Sequence, residues 1–242
     1  MPNARRVRLF HKVQLTINQM TPQSVTAAPQ IAALFAAGAV ACQTRETISA
    51  DAVLPEEQQY LSRAAPKRIH EFAAGRACGR AALSHLGYAD VALLMSADRA
   101  PRWPAGATGS ITHTDTFCAA VVAPSRQIRA LGLDVEPAQS VKPQLWRRIC
   151  TAQELALLRA QDEPSALAAA TLIFSAKEAF YKCQYTLTQE WLGFADISIT
   201  IDADRFTVAA TRSLRIAALT AAPWHGRYRH EAGRVVTGVC IV

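Results

Sequence analysis

The sequence predicts an α+β fold on three observations. Ala-rich stretches with helix start and stop signals sit beside short runs that alternate apolar and polar residues. The two kinds follow one another without a regular βαβ rhythm. Half of the 242 residues are hydrophobic, which excludes a disordered or fibrous chain and allows a substantial core.

Residues 1 to 30 mix Arg, Gln, Asn, Thr and Pro without periodicity, and are expected to be poorly ordered. The apolar run "IAALFAAGAVAC" is too short to span a bilayer, and it lies behind Pro22 and Pro29 with no compact basic start. It reads as a buried element, helix or strand, leading into a strand. Pro55, followed by Glu56 and Glu57, opens a helical turn. The strongest helix is "PKRIHEFAAGRACGRAALSHLG", with Pro66 early and Gly87 as its stop. Gly75 and Gly79 inside it cost about 1 kcal/mol each against Ala, so their spacing predicts close approach to another element. Arg68, Arg76 and Arg80 share a side with Phe72, the pattern of a solvated basic face.

"DRAPRWPAGATG" is a loop by its Pro and Gly content. "SITHTDTFCAAVVA" reads as a strand, and "IRALGLDVEP", after the turn "PSRQ", as its hairpin partner. "WRRICTAQELALLRA" and "SALAAATLIFSAKEAFYKCQY" are helical, separated by "QDEP". "ADISITIDADRFTVAAT" and "RYRHEAGRVVTGVCIV" read as two hairpins, and no clear internal repeat stands out.

The formal charge of +7 favours an anionic partner. The cations come in small groups, such as Arg5 with Arg6 and Arg147 with Arg148, without a basic tail or aromatic-interleaved stripe; this weakens a nucleic-acid reading. The cysteines at 42, 78, 118, 150, 183 and 240 form no CxxC pair, as in a cytosolic protein with reduced, buried thiols.

In an extended chain Asp134 and Glu136 point to one face, and two like charges there call for a cation. On a helix Glu178 and Lys182 share a face, which alone signifies an ion pair worth about 0.3–0.5 kcal/mol. Together the three acids make a hard oxygen set suited to magnesium, with Lys182 placed for a phosphate. Zinc-type nitrogen and sulfur ligands are missing from the set. His113 alone is more often a structural hydrogen-bond partner than a catalyst. A triad of Ser110, His113 and Asp115 lacks the GxSxG elbow, and the chain has neither a Walker loop nor GxGxxG.

"GLDVEP" followed by "FSAKEAFYK" resembles the signature pair of the 4′-phosphopantetheinyl transferases, in the long single-chain branch typified by the surfactin and enterobactin enzymes. "KRIHEFAAGRACGRAAL" and "RAPRWPAGATGSITHT" resemble the same branch, and Phe174 departs from it where many members carry Trp. The likeness runs from about Pro55 to Tyr185. It implies transfer of the phosphopantetheine arm of coenzyme A to a serine of an apo acyl or peptidyl carrier protein, with release of 3′,5′-ADP. Pathways served by such carriers make fatty acids, polyketides, nonribosomal peptides and siderophores.

The resemblance makes Asp134, Glu136 and Glu178 ligands of magnesium (manganese as a substitute), and Glu178 also the base for the carrier serine. It gives Lys182 to the pyrophosphate, Thr112 and His113 to the 3′-phosphate or nearby oxygens, and Arg68, Arg76 and Arg99 to the 3′-phosphate and adenine. The implied architecture is two similar α+β halves related by a pseudo-twofold, each a small antiparallel sheet on a long helix. Residues 31–127 and 128–242 would be the halves, behind a flexible 1–30, in a cytoplasmic monomer without membrane or nucleic-acid partners. A magnesium-dependent phosphohydrolase using the same carboxylates is the enzymatic alternative. A basic nucleic-acid-binding module, losing affinity steeply with salt, is the non-enzymatic one.

Overall fold

The computed structural model describes residues 24–89, 91–218 and 224–242. Most of the segment expected to be poorly ordered therefore lies outside the described residues. Its end is placed: β1 (Thr26–Ala27) pairs with β2 (Val40–Thr44), and α1 (Pro29–Ala32) packs Ile31 into the core.

Two antiparallel sheets make up the α+β fold. The first, in the order β1-β2-β4-β3, contains β3 (Ala107–Thr114) and β4 (Phe117–Pro124) and lies against α2 (Pro66–His85). The second has the order β5-β9-β8-β7-β6. It runs from β5 (Ala130–Pro137) through β6 (Ile197–Asp202), β7 (Arg205–Ala210) and β8 (Trp224–Glu231) to β9 (Arg234–Ile241). Its long helix is α5 (Glu163–Thr188), preceded by α3 (Pro143–Ile149) and α4 (Ala152–Arg159). The halves thus share a sheet-on-helix plan and differ in strand number and order.

Three local readings are corrected. "SITHTDTFCAAVVA" is two strands, β3 and β4, because the polar Asp115–Thr116 turn folds the run back on itself. "IRALGLDVEP" does not pair with it as a hairpin; β5 crosses to the second sheet and pairs with β9, Asp134 opposite Thr237. The predicted single helix "WRRICTAQELALLRA" breaks at Cys150–Thr151. There the Thr151 hydroxyl accepts from Glu154 N, while the Glu154 carboxylate accepts from Thr151 N, a reciprocal cap that starts a new helix.

The glycine expectation holds on α2: a Cβ on Gly79 would stand 2.6 Å from Leu93 Cδ1, and one on Gly75 would stand 3.0 Å from Ile111 Cγ2. The solvated basic face does not hold. Arg76 and Arg80 are buried, Arg80 in an ion pair with Glu57 (2.8 Å). Arg76 lies over the Phe72 ring and donates from Nε to Leu93 O (2.7 Å).

That Glu57–Arg80 pair has a twin. Glu57 also accepts from Leu54 N and Leu93 N; Glu154 accepts from Lys177, Thr151 N and Ile199 N. Each acid stands at the start of a short helix 23 residues before its cation on the long helix. The sequence shows no clear repeat because the partners differ, Arg80 in one half and Lys177 in the other. Between the halves, Phe35, Phe117, Val121, Leu131, Leu133, Val135 and Val236 form one apolar cluster that joins the sheets.

Candidate active site

β5 lies in the seam, with Leu131, Leu133 and Val135 directed into that joining cluster. Alternation then sends Gly132, Asp134 and Glu136 to the other face, toward α5. Gly132 allows the approach: a Cβ there would stand 1.8 Å from Ala179 O. On its other flank β5 has side chains where a ladder would be. Ser110 Oγ accepts from Leu133 N (3.0 Å) and Thr112 Oγ1 from Val135 N (3.2 Å), so hydroxyls of one half hold the backbone of the other.

This geometry sets Asp134 among donors. Its Oδ1 accepts from Lys182 Nζ (2.6 Å) and, more weakly, from Thr112 Oγ1 (3.4 Å); its Oδ2 accepts from Ser175 Oγ (2.8 Å). Lys182 also donates to Leu133 O (3.2 Å). The local Glu178–Lys182 ion pair is therefore replaced by a long-range one, because the strand carboxylate comes within reach of the ammonium. Glu136, half-buried and bonded by Ser140, is pushed up to about 7, first by burial and then by Asp134, with Glu178 adding to the effect. Glu178 is raised as well, by burial first, Lys182 opposing and Asp134 reinforcing.

Glu136 and Glu178, both raised by burial with Asp134 adding, form with Asp134 a donor set suited to a hard cation. Among the described residues, however, no three His, Cys, Asp or Glu side chains stand at metal-binding spacing. The donors fit magnesium in their chemistry, while Lys182 currently answers Asp134.

The predicted anion contacts separate. Exposed Arg68 lies 3.3 Å from His113 Nε2 and pairs with Glu71 (3.3 Å), so a cation and an imidazole meet at one point. Partial burial, with Arg68 and Lys182 adding, lowers the His113 pKa. Arg76 is buried behind them, and burial brings its guanidinium down to about 10. Thr112 is buried with its hydroxyl committed to β5, so it holds the seam. Arg99, in the left-handed region (φ 71°), edges a cavity of about 450 Å³ between the halves.

Sequence reasoning missed the aromatic walls of that cavity: Trp103 from the loop, Tyr181 and Tyr185 on α5, and Trp191 just beyond its end. A signal existed, since Tyr181 and Tyr185 lie one turn apart around Lys182. A smaller cavity of about 210 Å³ opens beside Glu178, between Tyr181, Trp191, Leu192 and Phe194. Phe174, the departure from Trp, packs against Phe194 with the rings tilted and their centroids 5.6 Å apart.

Fold and site together define a two-sheet chain with an acidic, lysine-bearing seam. Residues 56–123 match the family described as "4'-phosphopantetheinyl transferase N-terminal domain", and residues 130–240 match the "4'-phosphopantetheinyl transferase superfamily". The chain is 34% identical over 199 residues to 4'-phosphopantetheinyl transferase Svp of Streptomyces mobaraensis, covering 78% of each chain. It is 34% identical over 195 residues to PptT of Mycobacterium tuberculosis, covering 78% of this chain and 86% of that one. With Npt of Nocardia iowensis the identity is 37% over 148 residues, 61% of this chain and 66% of that one. The chain belongs to the 4′-phosphopantetheinyl transferase family, whose members activate carrier proteins with the phosphopantetheine of coenzyme A. Neither the phosphohydrolase nor the nucleic-acid reading finds support in these matches.

Proposed function

We propose that this chain moves the 4′-phosphopantetheine arm of coenzyme A onto a serine of an apo acyl or peptidyl carrier protein. The observation that carries the reading is the convergence of Asp134, Glu136, Glu178 and Lys182 at the seam, beside a cavity walled by aromatics and edged by Arg99. The serine oxygen bonds to the phosphorus bearing the pantetheine arm, the pyrophosphate bridge breaks, and 3′,5′-ADP leaves. Glu178 takes the serine proton, because serine is a weak nucleophile and this half-buried acid is the one carried by the facing helix. Lys182 binds pyrophosphate oxygens on leaving Asp134, and Arg68 with His113 holds the 3′-phosphate. Asp134, Glu136 and Glu178 would hold magnesium, which supplies charge neutralisation at the pyrophosphate when bound. Among the described residues no helix is long and apolar enough to cross a membrane, and all six cysteines are unpaired, five of them buried. The free, mostly buried thiols support a reducing compartment, and the single-chain, two-half plan is the basis for reading the protein as a cytoplasmic monomer.

Incubation with apo carriers, coenzyme A and magnesium should add the mass of one phosphopantetheine to the carrier. A carrier of unchanged mass, with phosphate released, would favour hydrolysis instead.

Two predictions follow the geometry. Arg68→Ala is expected to weaken coenzyme A binding more than binding of dephospho-coenzyme A, which lacks the 3′-phosphate. Buried Arg76→Ala is expected to lower thermal stability and to weaken both ligands alike. Equal losses for both ligands in Arg68→Ala would remove the 3′-phosphate role. The second prediction concerns α3, which exposes Arg147 and Arg148 beside Leu145. If an acidic carrier docks there, added salt raises KM for the carrier more than KM for coenzyme A. A carrier KM indifferent to salt speaks against that docking face.

A further inference from the structure

Asp134 is 4% exposed, and its two oxygens are held differently. Oδ1 meets the partly exposed ammonium of Lys182 and, more weakly, the Thr112 hydroxyl (3.4 Å); Oδ2 meets one donor, the fully buried Ser175 hydroxyl (2.8 Å). Behind Ser175 stands Thr237 on β9, also fully buried and directly opposite Asp134 in the strand register. Thr237 Oγ1 lies 2.9 Å from Ser175 Oγ and donates to Ser175 O (3.0 Å).

The protons can be assigned by counting. Thr237 has one, and both of its neighbours, the Ser175 carbonyl and hydroxyl oxygens, accept. Ser175 has one proton and two acceptors in reach, Thr237 Oγ1 and a carboxylate oxygen. The charged acceptor forms the stronger bond, and leaving it without a donor inside the protein is the costlier outcome. The Ser175 proton therefore goes to Asp134, and the single Thr237 proton goes to the Ser175 carbonyl (3.0 Å) or to its hydroxyl oxygen (2.9 Å), bracing the serine from behind in either case.

We propose that Ser175, oriented by Thr237, is a positioning residue that fixes the rotation of the Asp134 carboxylate, so that Oδ1 alone is presented to the seam. With Oδ2 anchored from behind, a ligand that displaces Lys182 meets an oxygen already aimed. Without the anchor the carboxylate turns, and part of the binding energy goes to restraining it. Neither Ser175 nor Thr237 touches the substrate in this scheme; both act through Asp134. The inference rests on the magnesium reading of Asp134 proposed above.

The test is magnesium binding, read by calorimetry with coenzyme A present and no carrier, so that no turnover occurs. Ser175→Ala is expected to bind magnesium about tenfold more weakly, in line with losing one hydrogen bond to a charged group. Thr237→Val should show a smaller loss, and Thr237→Ser, which keeps the hydroxyl, should stay within about twofold of the parent. In an Asp134→Asn background Ser175→Ala should add nothing, since the residue it acts through is already neutral. Magnesium affinity unchanged in Ser175→Ala, or a loss of equal size in the Asp134→Asn background, overturns the proposal. Should Ser175→Ala fail to fold, the Thr237→Val and Thr237→Ser pair decides: equal affinities in the two overturn it. A parent protein that binds no magnesium even with coenzyme A would instead sink the metal reading, and this proposal with it.

Discussion

Glu178→Gln is expected to turn over at least ~10²-fold more slowly while still binding coenzyme A, the lower end of what a positioned base contributes. Glutamine keeps the shape and one oxygen but cannot take a proton. Excess magnesium should not restore the rate. Asp134→Ala is the contrasting case, in which a weakened ligand set can be refilled by mass action, so that magnesium partly restores activity. The structure sharpens the contrast. Asp134 is enclosed by Lys182, Ser175 and Thr112, whereas Glu178 is half-buried beside an open cavity of about 210 Å³, where a serine has room to approach. Steady-state rates across a magnesium series separate the outcomes. If Glu178→Gln recovers in step with Asp134→Ala, Glu178 is a ligand only and the base lies elsewhere.

Glu154→Ala is expected to cost about 3–5 kcal/mol of stability, the range for breaking one side of a buried ion pair. The Glu154 oxygens accept from Lys177 (2.8 Å), Thr151 N (2.7 Å) and Ile199 N (2.7 Å). Removing them leaves a buried ammonium with two carbonyls, Ile149 O and Phe194 O, and leaves the Ile199 amide without its acceptor. At about 2–4 °C per kcal/mol for a chain of this size, the melting midpoint should fall by roughly 6–20 °C. Adding Lys177→Met to Glu154→Leu should recover much of the loss, since the uncompensated charge is then gone. A midpoint within about 2 °C of the parent in Glu154→Ala would show that the pair contributes little.

What could be read beforehand depended on how far apart in the chain the determinants lay. α2 and α5 carry their own start signals, Pro66 and Pro164, and the last two hairpins carry their own alternation, so both kinds were legible from local sequence. The common face of Asp134 and Glu136 follows from period two alone. The partner of β5 was not legible: β4 precedes it closely, yet β9, about a hundred residues later, supplies the ladder. Nothing in the local pattern distinguishes the two, and tertiary packing decides. Burial of Arg76 and Arg80 was equally hidden. Arginine at fourfold spacing reads as solvated, and only the arrival of Glu57 and the Leu93 carbonyl makes the interior tolerable for them. The candidate site was legible in its carboxylates and Lys182, in that the fold brings these predicted residues to one seam. Its aromatic walls were not, because Trp103 and Trp191 meet only through the fold.

The twin ion pairs have a consequence for how this protein can vary. On α5 the residue after the buried cation Lys177 is Glu178, and five positions beyond that cation stands Lys182. On α2 the corresponding places after Arg80 hold Ala81 and His85. The fastening is written twice along the chain, and the acid–lysine chemistry only once. Mutational drift on the two helices should therefore be unequal: Glu57 and Glu154 answer to the same constraint, whereas position 81 answers only to volume and position 178 to charge. A library randomised at 81 and 178 and selected for carrier modification would accept small apolar residues at the first and little besides glutamate at the second.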